Sequence, residues 1–163
     1  MTMLQALAAP RRATEIPDEA DLYGWLIGSW SLDVIHYLVD VREQQIQGEA
    51  HFGWVLEGRA MQDVWIMRRD GVMNTYGSTL RVWDAALGAW RVSWSSPTTG
   101  ARDELIGRRV GDDLVQLGTH RDGRPIRWSF TEITDRSFRW TGEVLQHDGS
   151  WSLEAEFRAT RLP

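Results

Sequence analysis

A chain of 163 residues has the length of a single domain, and because it contains no cysteine it can form neither disulfides nor thiolate zinc sites. All 18 basic residues are arginines, against 23 aspartates and glutamates, and the net charge of −5 argues against a nucleic-acid partner. No apolar run approaches the roughly 20 residues of a membrane helix. The apolar start, Met1 to Ala9, lacks the preceding basic residues of a secretory signal. We therefore predict a cytoplasmic protein with no membrane partner.

The N-terminal part divides into an arm and a helix. Residues 1–16 show no clear periodicity and are predicted to form a flexible arm before a folded domain at 17–163. Pro17 suits the first position of a helix, and three acidic residues follow it within one turn. Apolar residues then recur at helical spacing, at Leu22, Trp25 and Leu26. This pattern predicts one short helix over 17–27, lying across one end of the domain.

From Gly28 onward the apolar residues alternate with polar ones, as in half-buried strands. Trp30, Leu32, Val34 and His36 share one face of the first such segment, and similar segments continue to Arg161. Turn signals separate them, at Asp70-Gly71, Asp84 to Gly88, Gly111-Asp112, Asp122-Gly123 and Asp148-Gly149.

These patterns predict an all-β fold, a single antiparallel up-and-down β-barrel of about nine or ten strands with a short N-terminal helix. The connections are too short for the helical crossovers that parallel strands need. Closure into a barrel would remove the exposed sheet edges. A two-sheet sandwich is the competing architecture, but its Greek-key connections use long loops, which are scarce here.

Two motifs resemble a known family. Leu26-Ile27-Gly28-Ser29-Trp30, followed by Leu56-Glu57-Gly58-Arg59, is similar to the paired Leu-x-Gly-x-Trp and Leu-x-Gly-Arg motifs of bacterial calycin-like proteins of the DUF1579 group. The resemblance implies a lipocalin-like (calycin) barrel in which Trp30 plugs one end. It also implies that an arginine of the last strand, Arg158 or Arg161, packs over the Trp30 ring. Such barrels commonly hold small, largely apolar molecules, although fold alone does not fix function.

Three titratable residues are candidates for contacting a ligand. His36 lies on the apolar face of the first strand and could carry a proton. Asp63 shares a face with Met61 and Trp65, and burial of that face would raise the pKa of its carboxyl group. Glu104 shares a face with Ile106, so we expect it to point inward and Asp103 outward. Together, His36 and Glu104 could form an acid–base pair. Each residue could instead serve packing or face solvent.

Ten tryptophans are numerous for this length, and each can bury roughly 150–250 Å² of surface. Such rings either fill a core or wall a cavity. The aromatic residues that we predict to contact a ligand occupy strand positions: Trp65, Tyr76, Trp94, Trp128 and Trp140.

No cofactor or metal is expected. Glu49 and His51 could supply two metal ligands, but no third is visible nearby. The haem-binding nitrobindin-like barrels share the Gly-x-Trp motif and use a late histidine, whereas the late histidine here, His147, adjoins a turn. The chain also lacks the nucleophile elbow, the phosphate loop and the His-Glu-x-x-His motif.

Three functional hypotheses follow. The first is binding of a small hydrophobic or aromatic molecule in an aromatic-lined cavity. The second is a cofactor-independent isomerase, cyclase or hydratase acting on such a molecule in the same cavity. The third is a barrel with a filled interior that acts through its surface or through a homodimer interface.

Overall fold

The computed structural model describes residues 1–69 and 72–163, with side chains at 1–68 and 76–163. The turn predicted at Asp70-Gly71 lies outside the described residues. In the described part of the chain, ten antiparallel strands form the barrel: β1 (Gly28–Tyr37), β2 (Gln47–Val55), β3 (Ala60–Arg69), β4 (Val72–Asp84), β5 (Ala89–Ser95), β6 (Arg102–Val110), β7 (Asp113–Thr119), β8 (Pro125–Thr131), β9 (Ser137–Leu145) and β10 (Trp151–Arg161).

The sheet closes into an up-and-down barrel of the lipocalin-like type. Each strand pairs with its neighbours in sequence, and β1 pairs on one edge with β2 and on the other with β10. Trp30 of β1 stands opposite Arg161 of β10, so the first and last strands meet. The predicted barrel is confirmed, and the two-sheet sandwich is excluded.

Glycines make several of the predicted reversals between strands possible. Gly111, Gly123 and Gly149 have φ values of +62°, +88° and +83°, in the left-handed region that side chains with a Cβ rarely adopt. In one of these turns the Asp122 carboxylate accepts a hydrogen bond from the Arg124 backbone N–H, at 3.0 Å. These turns keep the connections short, and consecutive strands therefore remain neighbours.

Short segments complete the chain. Helix α1 spans Met3–Leu7, and the two residues Ala8–Ala9 pair with the end of β2. Val39–Asp40 folds back on the end of β1, and 3₁₀ turns occupy Arg42–Gln44 and Leu56–Gly58. Within the described residues, no helix has both the length and the apolar character needed to cross a membrane.

The single helix predicted over 17–27 is wrong. Two 3₁₀ turns, Asp18–Ala20 and Gly24–Leu26, take its place. The break falls at Asp21, whose ψ of +78° is not helical and whose carboxylate accepts a hydrogen bond from the Gly24 N–H at 2.8 Å. An aspartate commonly competes with the helical backbone in this way. The segment nevertheless closes one end of the barrel, where Tyr23 and Leu26 are fully buried.

Trp30 plugs this closed end, as the resemblance implied. Its ring is fully buried and lies 4.8 Å from Phe138 and 6.2 Å from Trp25, measured between ring centroids. The Trp30 indole N–H donates to the Leu26 carbonyl at 2.7 Å. Arg161 packs over the other side of the ring, which confirms the contact expected of a late arginine. The opposite end of the barrel holds the candidate site.

Candidate functional site

Aromatic side chains surround a small chamber inside the barrel. The chamber has a volume of about 30 Å³, and Thr79 and Arg81 also line it. Its aromatic wall consists of Trp65, Tyr76, Trp94, Trp128, Trp140 and Phe157. All five aromatic residues predicted from the sequence therefore meet around one space; we call this the inner chamber.

The rings of the wall pack against one another around the barrel. Trp140 stacks on Phe157 of the neighbouring strand, with 5.2 Å between centroids and 19° between planes. Trp128 meets Trp140 at 5.7 Å and Trp94 edge-on at 5.7 Å. Tyr76 continues the series, 5.8 Å from Trp94. Aromatic pairs in these geometries stabilise the wall beyond their simple burial.

Two glycines make room for these rings. A Cβ added at Gly142 would lie 2.9 Å from the Trp140 ring, and one added at Gly77 would lie 2.5 Å from the Trp94 Nε1 atom. Any side chain at either position would push an indole aside. The width of the cavity therefore depends on Gly77 and Gly142 as well as on the aromatic residues.

Above the inner chamber the barrel opens into a larger cavity of about 180 Å³, which we call the mouth. The mouth shares four aromatic side chains with the inner chamber: Tyr76, Trp94, Trp128 and Trp140. Its rim is more polar and includes Tyr37, Asp103, His120, Arg121 and Glu154. The site therefore combines an aromatic interior with a polar entrance.

A buried polar network lies below the inner chamber. Asp63 and Arg81, only 1% and 2% exposed, form an ion pair of 2.6 Å between Oδ2 and Nη1. The other Asp63 oxygen accepts the Thr79 backbone N–H at 2.8 Å. Gln116 Oε1 accepts hydrogen bonds from Arg81 Nε at 3.4 Å and from the Tyr23 hydroxyl at 3.1 Å. This network joins the chamber to the closed end of the barrel.

Burial changes the acidity of several groups around the site. Desolvation raises the pKa of the Asp103 carboxyl group, against the opposing effect of the nearby charges of His120 and Arg121. Desolvation also raises the pKa of Tyr76, and the adjacent Tyr37 adds to this rise. At the closed end, burial raises the pKa of Tyr23 to about 12. Asp103 therefore holds its proton to a higher pH than a fully solvated aspartate does.

The structure places Glu104 differently from the sequence-based prediction. Glu104 is exposed on the outer surface, where it accepts a hydrogen bond from the Ser93 hydroxyl at 2.6 Å, and Asp103 points inward. Leu105 determines this arrangement, because it packs inside the barrel with Val92. Alternation then turns Asp103 inward and Glu104 outward. The predicted pair of His36 and Glu104 does not form.

His36 also lies away from the cavity. The register between β1 and β10 shifts at this point, with Val34 opposite Phe157 and His36 opposite Glu156, so that Ile35 is an extra residue. A bulge of this kind reverses the alternation of the residues that follow it. Tyr37 consequently lines the mouth in place of His36.

Asp63 lies inside the barrel, so the face that it shares with Met61 and Trp65 is the inward one, but Asp63 is paired with Arg81 and not isolated among apolar residues. Sequence analysis missed Arg81, Gln116 and His120. The signal for Arg81 was available, because a buried aspartate needs a cationic partner and the next strand carries Arg81 between Leu80 and Val82.

The described residues contain no group of three histidine, aspartate or glutamate side chains that could hold a metal ion. In comparisons with known proteins, no family model matches the chain and no curated protein matches its sequence.

Proposed function

We propose that the barrel binds one small aromatic molecule in the mouth, against the rings of Trp94, Trp128 and Trp140. The observation that carries the proposal is the convergence of three tryptophans and two tyrosines on the mouth, at the open end of the barrel. The closed end is filled by Trp30 and its neighbours. A cavity that is mostly apolar, with a few polar groups at its edge, is typical of small-molecule sites.

The volume of the mouth sets the size of the ligand. About 150 Å³ suffices for benzene in an apolar cavity, and the mouth encloses about 180 Å³. The inner chamber alone could not hold a ring. Burying about 200 Å² of ligand surface at roughly 25 cal/mol per Å² contributes about 5 kcal/mol before the cost of ordering the ligand. We therefore expect a molecule of one ring or of two fused rings.

The test is a titration with nitrobenzene, a single-ring quencher of tryptophan emission. We expect saturable quenching with one site per chain. Ala101 lines the mouth, so Ala101→Phe should fill it and weaken binding by about tenfold or more. The matched control is Leu117→Phe, at an exposed residue, which should bind nitrobenzene as the unchanged chain does. Quenching that rises linearly with the nitrobenzene concentration in all three proteins, without saturation, would contradict the proposal.

A second candidate function is catalysis by an isomerase, cyclase or hydratase that needs no cofactor. The observation that favours it is Asp103, a carboxyl group with a raised pKa beside the aromatic wall. A carboxyl group whose pKa is raised holds its proton to a higher pH than an ordinary aspartate does, and it can exchange that proton with a bound molecule. The experiment is proton exchange of unsaturated ketones in D₂O, followed by NMR. Exchange should be lost in Asp103→Asn and kept in Glu104→Gln, a change one residue away on the outer surface.

We also propose that the chain is related to the DUF1579 group and that it works in the cytoplasm. The Leu-x-Gly-x-Trp and Leu-x-Gly-Arg motifs support a relationship to the DUF1579 group, and the Trp30–Arg161 contact agrees with it. The absence of cysteine suits a reducing compartment such as the cytoplasm.

A further inference from the structure

We infer that the ligand carries a neutral hydrogen-bond acceptor, such as a ketone or aldehyde oxygen, and that this oxygen occupies the inner chamber beside Arg81. The inference rests on the proposed function and adds to it the chemical class of the ligand. It follows from the donors that the chamber presents, from their charge balance and from the volume of the chamber.

Arg81 has hydrogen-bond capacity left over at the floor of the chamber. Its Nη1 contacts Asp63 at 2.6 Å and Met61 Sδ at 3.9 Å, and its Nε contacts Gln116 at 3.4 Å. Within the described residues no carboxylate or carbonyl accepts a hydrogen bond from Nη2; the Tyr23 hydroxyl is the other polar group near the guanidinium, and Nη2 keeps some exposure. Arginine has only donors, so an oxygen that enters the chamber can accept a hydrogen bond from it.

The indole N–H groups of the aromatic wall also favour a ligand with a hydrogen-bond acceptor. At the closed end, Trp25, Trp30 and Trp90 each donate the indole N–H to a backbone carbonyl, at 2.7 to 2.8 Å. The indoles of Trp94 and Trp128 line both cavities and have no such acceptor in the part of the chain that the structure describes; Trp54, which packs near Trp90, also has none. An indole N–H donates and cannot accept, and buried indoles usually have a partner.

Charge balance favours a neutral acceptor over a carboxylate. The positive charge of Arg81 is already balanced by Asp63 at 2.6 Å, and both side chains are almost completely buried. A ligand carboxylate beside Arg81 would bring a second negative charge close to Asp63 in an apolar environment. Such an unbalanced charge is costly to bury, whereas a carbonyl oxygen accepts the hydrogen bond without adding charge.

The volumes of the two cavities fix the orientation of the ligand. The inner chamber, about 30 Å³, has room for about one or two water-sized groups, which suits a carbonyl and not a ring. The mouth, about 180 Å³, suits the ring. The ligand therefore enters with its carbonyl first, and the ring remains between the tryptophans of the mouth.

The experiment compares acetophenone, ethylbenzene and benzoate, which have rings of the same size and differ in the group that would meet Arg81. Dissociation constants come from titrations that follow the indole N–H signals of the ¹⁵N-labelled protein. Transfer from water alone favours ethylbenzene, which is the most apolar of the three. We expect acetophenone to bind more tightly than both others, by about tenfold or more, because only its neutral oxygen satisfies the donors.

Substitutions at Arg81 test whether its guanidinium donates the hydrogen bond to the ligand oxygen. Asp63→Asn/Arg81→Met keeps an acceptor for the Thr79 N–H and removes the guanidinium, so acetophenone should lose its preference while ethylbenzene binds as before. Arg81→Lys, which keeps a cation for Asp63 and removes Nη2, serves if the double variant does not fold, and it should weaken the binding of acetophenone and leave that of ethylbenzene unchanged. Tighter binding of ethylbenzene or benzoate to the unchanged protein would overturn the inference and leave the proposed function standing. Binding of none of the three would contradict both.

Discussion

The guanidinium carbon of Arg161 lies 4.1 Å from the centroid of the Trp30 ring, and this contact joins the last strand of the barrel to the first. Arg161 also donates hydrogen bonds to the carbonyls of Ile27 and Asp135, at 2.8 Å and 2.7 Å, and to that of Trp25. One side chain therefore covers the end plug and satisfies three backbone carbonyls around it.

Replacing Arg161 should destabilise the whole barrel. In Arg161→Met the cation–π contact and the partly buried hydrogen bonds are lost, and we expect the free energy of unfolding to fall by about 3 kcal/mol. Urea unfolding followed by tryptophan emission measures the change. Arg136→Met, at an exposed arginine in the connection between β8 and β9, is the control and should change stability by less than about 0.5 kcal/mol. Equal effects of the two changes would contradict the role given to Arg161.

The effects of replacing Asp63 and Arg81 on the free energy of unfolding should not be additive, because the two side chains form one buried ion pair. Arg81→Met leaves the Asp63 carboxylate buried without its cation, and the expected loss is about 3–5 kcal/mol. Asp63→Asn/Arg81→Met removes both charges and should be clearly more stable than Arg81→Met alone. Chemical unfolding of the two variants and of Asp63→Asn completes the cycle. If the double variant were less stable than Arg81→Met, the destabilisation could not come from the unpaired carboxylate.

Gly107 on β6 is expected to be intolerant of alanine for one identifiable reason. A Cβ at this position would lie 2.1 Å from the Tyr23 hydroxyl oxygen, while the next nearest atoms are at 3.4 and 3.5 Å. Gly107→Ala should therefore cost about 1–3 kcal/mol through overpacking. In a Tyr23→Phe background the hydroxyl is gone, and the same substitution should cost much less.

The control for this cycle is Gly53→Ala on β2, because a Cβ there meets no atom within 4 Å. Thermal unfolding of the four proteins and of this control tests the prediction. An unchanged cost of Gly107→Ala after removal of the Tyr23 hydroxyl would show that the collision is not the cause.

Asp103 should make stability depend on pH. Desolvation raises the pKa of its carboxyl group in the folded state above the value in the unfolded chain, so the folded state binds the proton more tightly. The resulting stabilisation is present at low pH and is lost as the pH rises through the folded-state pKa. Asp103→Asn should therefore be more stable than the unchanged chain at pH 7, and this advantage should shrink toward pH 4.

Urea unfolding at both pH values provides the measurement for Asp103. Glu104→Gln, on the outer surface, is the matched control and should show no comparable advantage at pH 7. An advantage of Asp103→Asn that stayed constant between the two pH values would rule out titration of this carboxyl group as its origin.

The barrel and its aromatic wall could be predicted because both depend on patterns that are local in the sequence. Alternation identified the strands, and apolar positions on those strands placed Trp94, Trp128 and Trp140 inside. The resemblance of the Gly-x-Trp motif predicted that Arg158 or Arg161 packs over Trp30, and the structure shows that the residue is Arg161.

The errors have physical causes that alternation does not show. Asp103 and Glu104 each share a strand face with an apolar residue, Leu105 and Ile106, and the packing of Leu105 with Val92 decides which acid points inward. His36 was misplaced because the extra residue Ile35 interrupts the alternation of β1. The role of Arg81 depends on the pairing of β3 with β4, which brings it next to Asp63 across the sheet. Residue types alone do not specify such pairings.

The pairing of β1 with β10 also bears on how the chain folds as it is synthesised. One edge of β1 can pair with β2 early, but its other edge must wait for residues 151–161, more than a hundred positions later. Contacts between such distant parts of a chain form slowly, since a long loop has to close first. The contact between Arg161 and Trp30 can thus form only after residues 151–161 have been synthesised, and until then one edge of β1 lacks its partner strand.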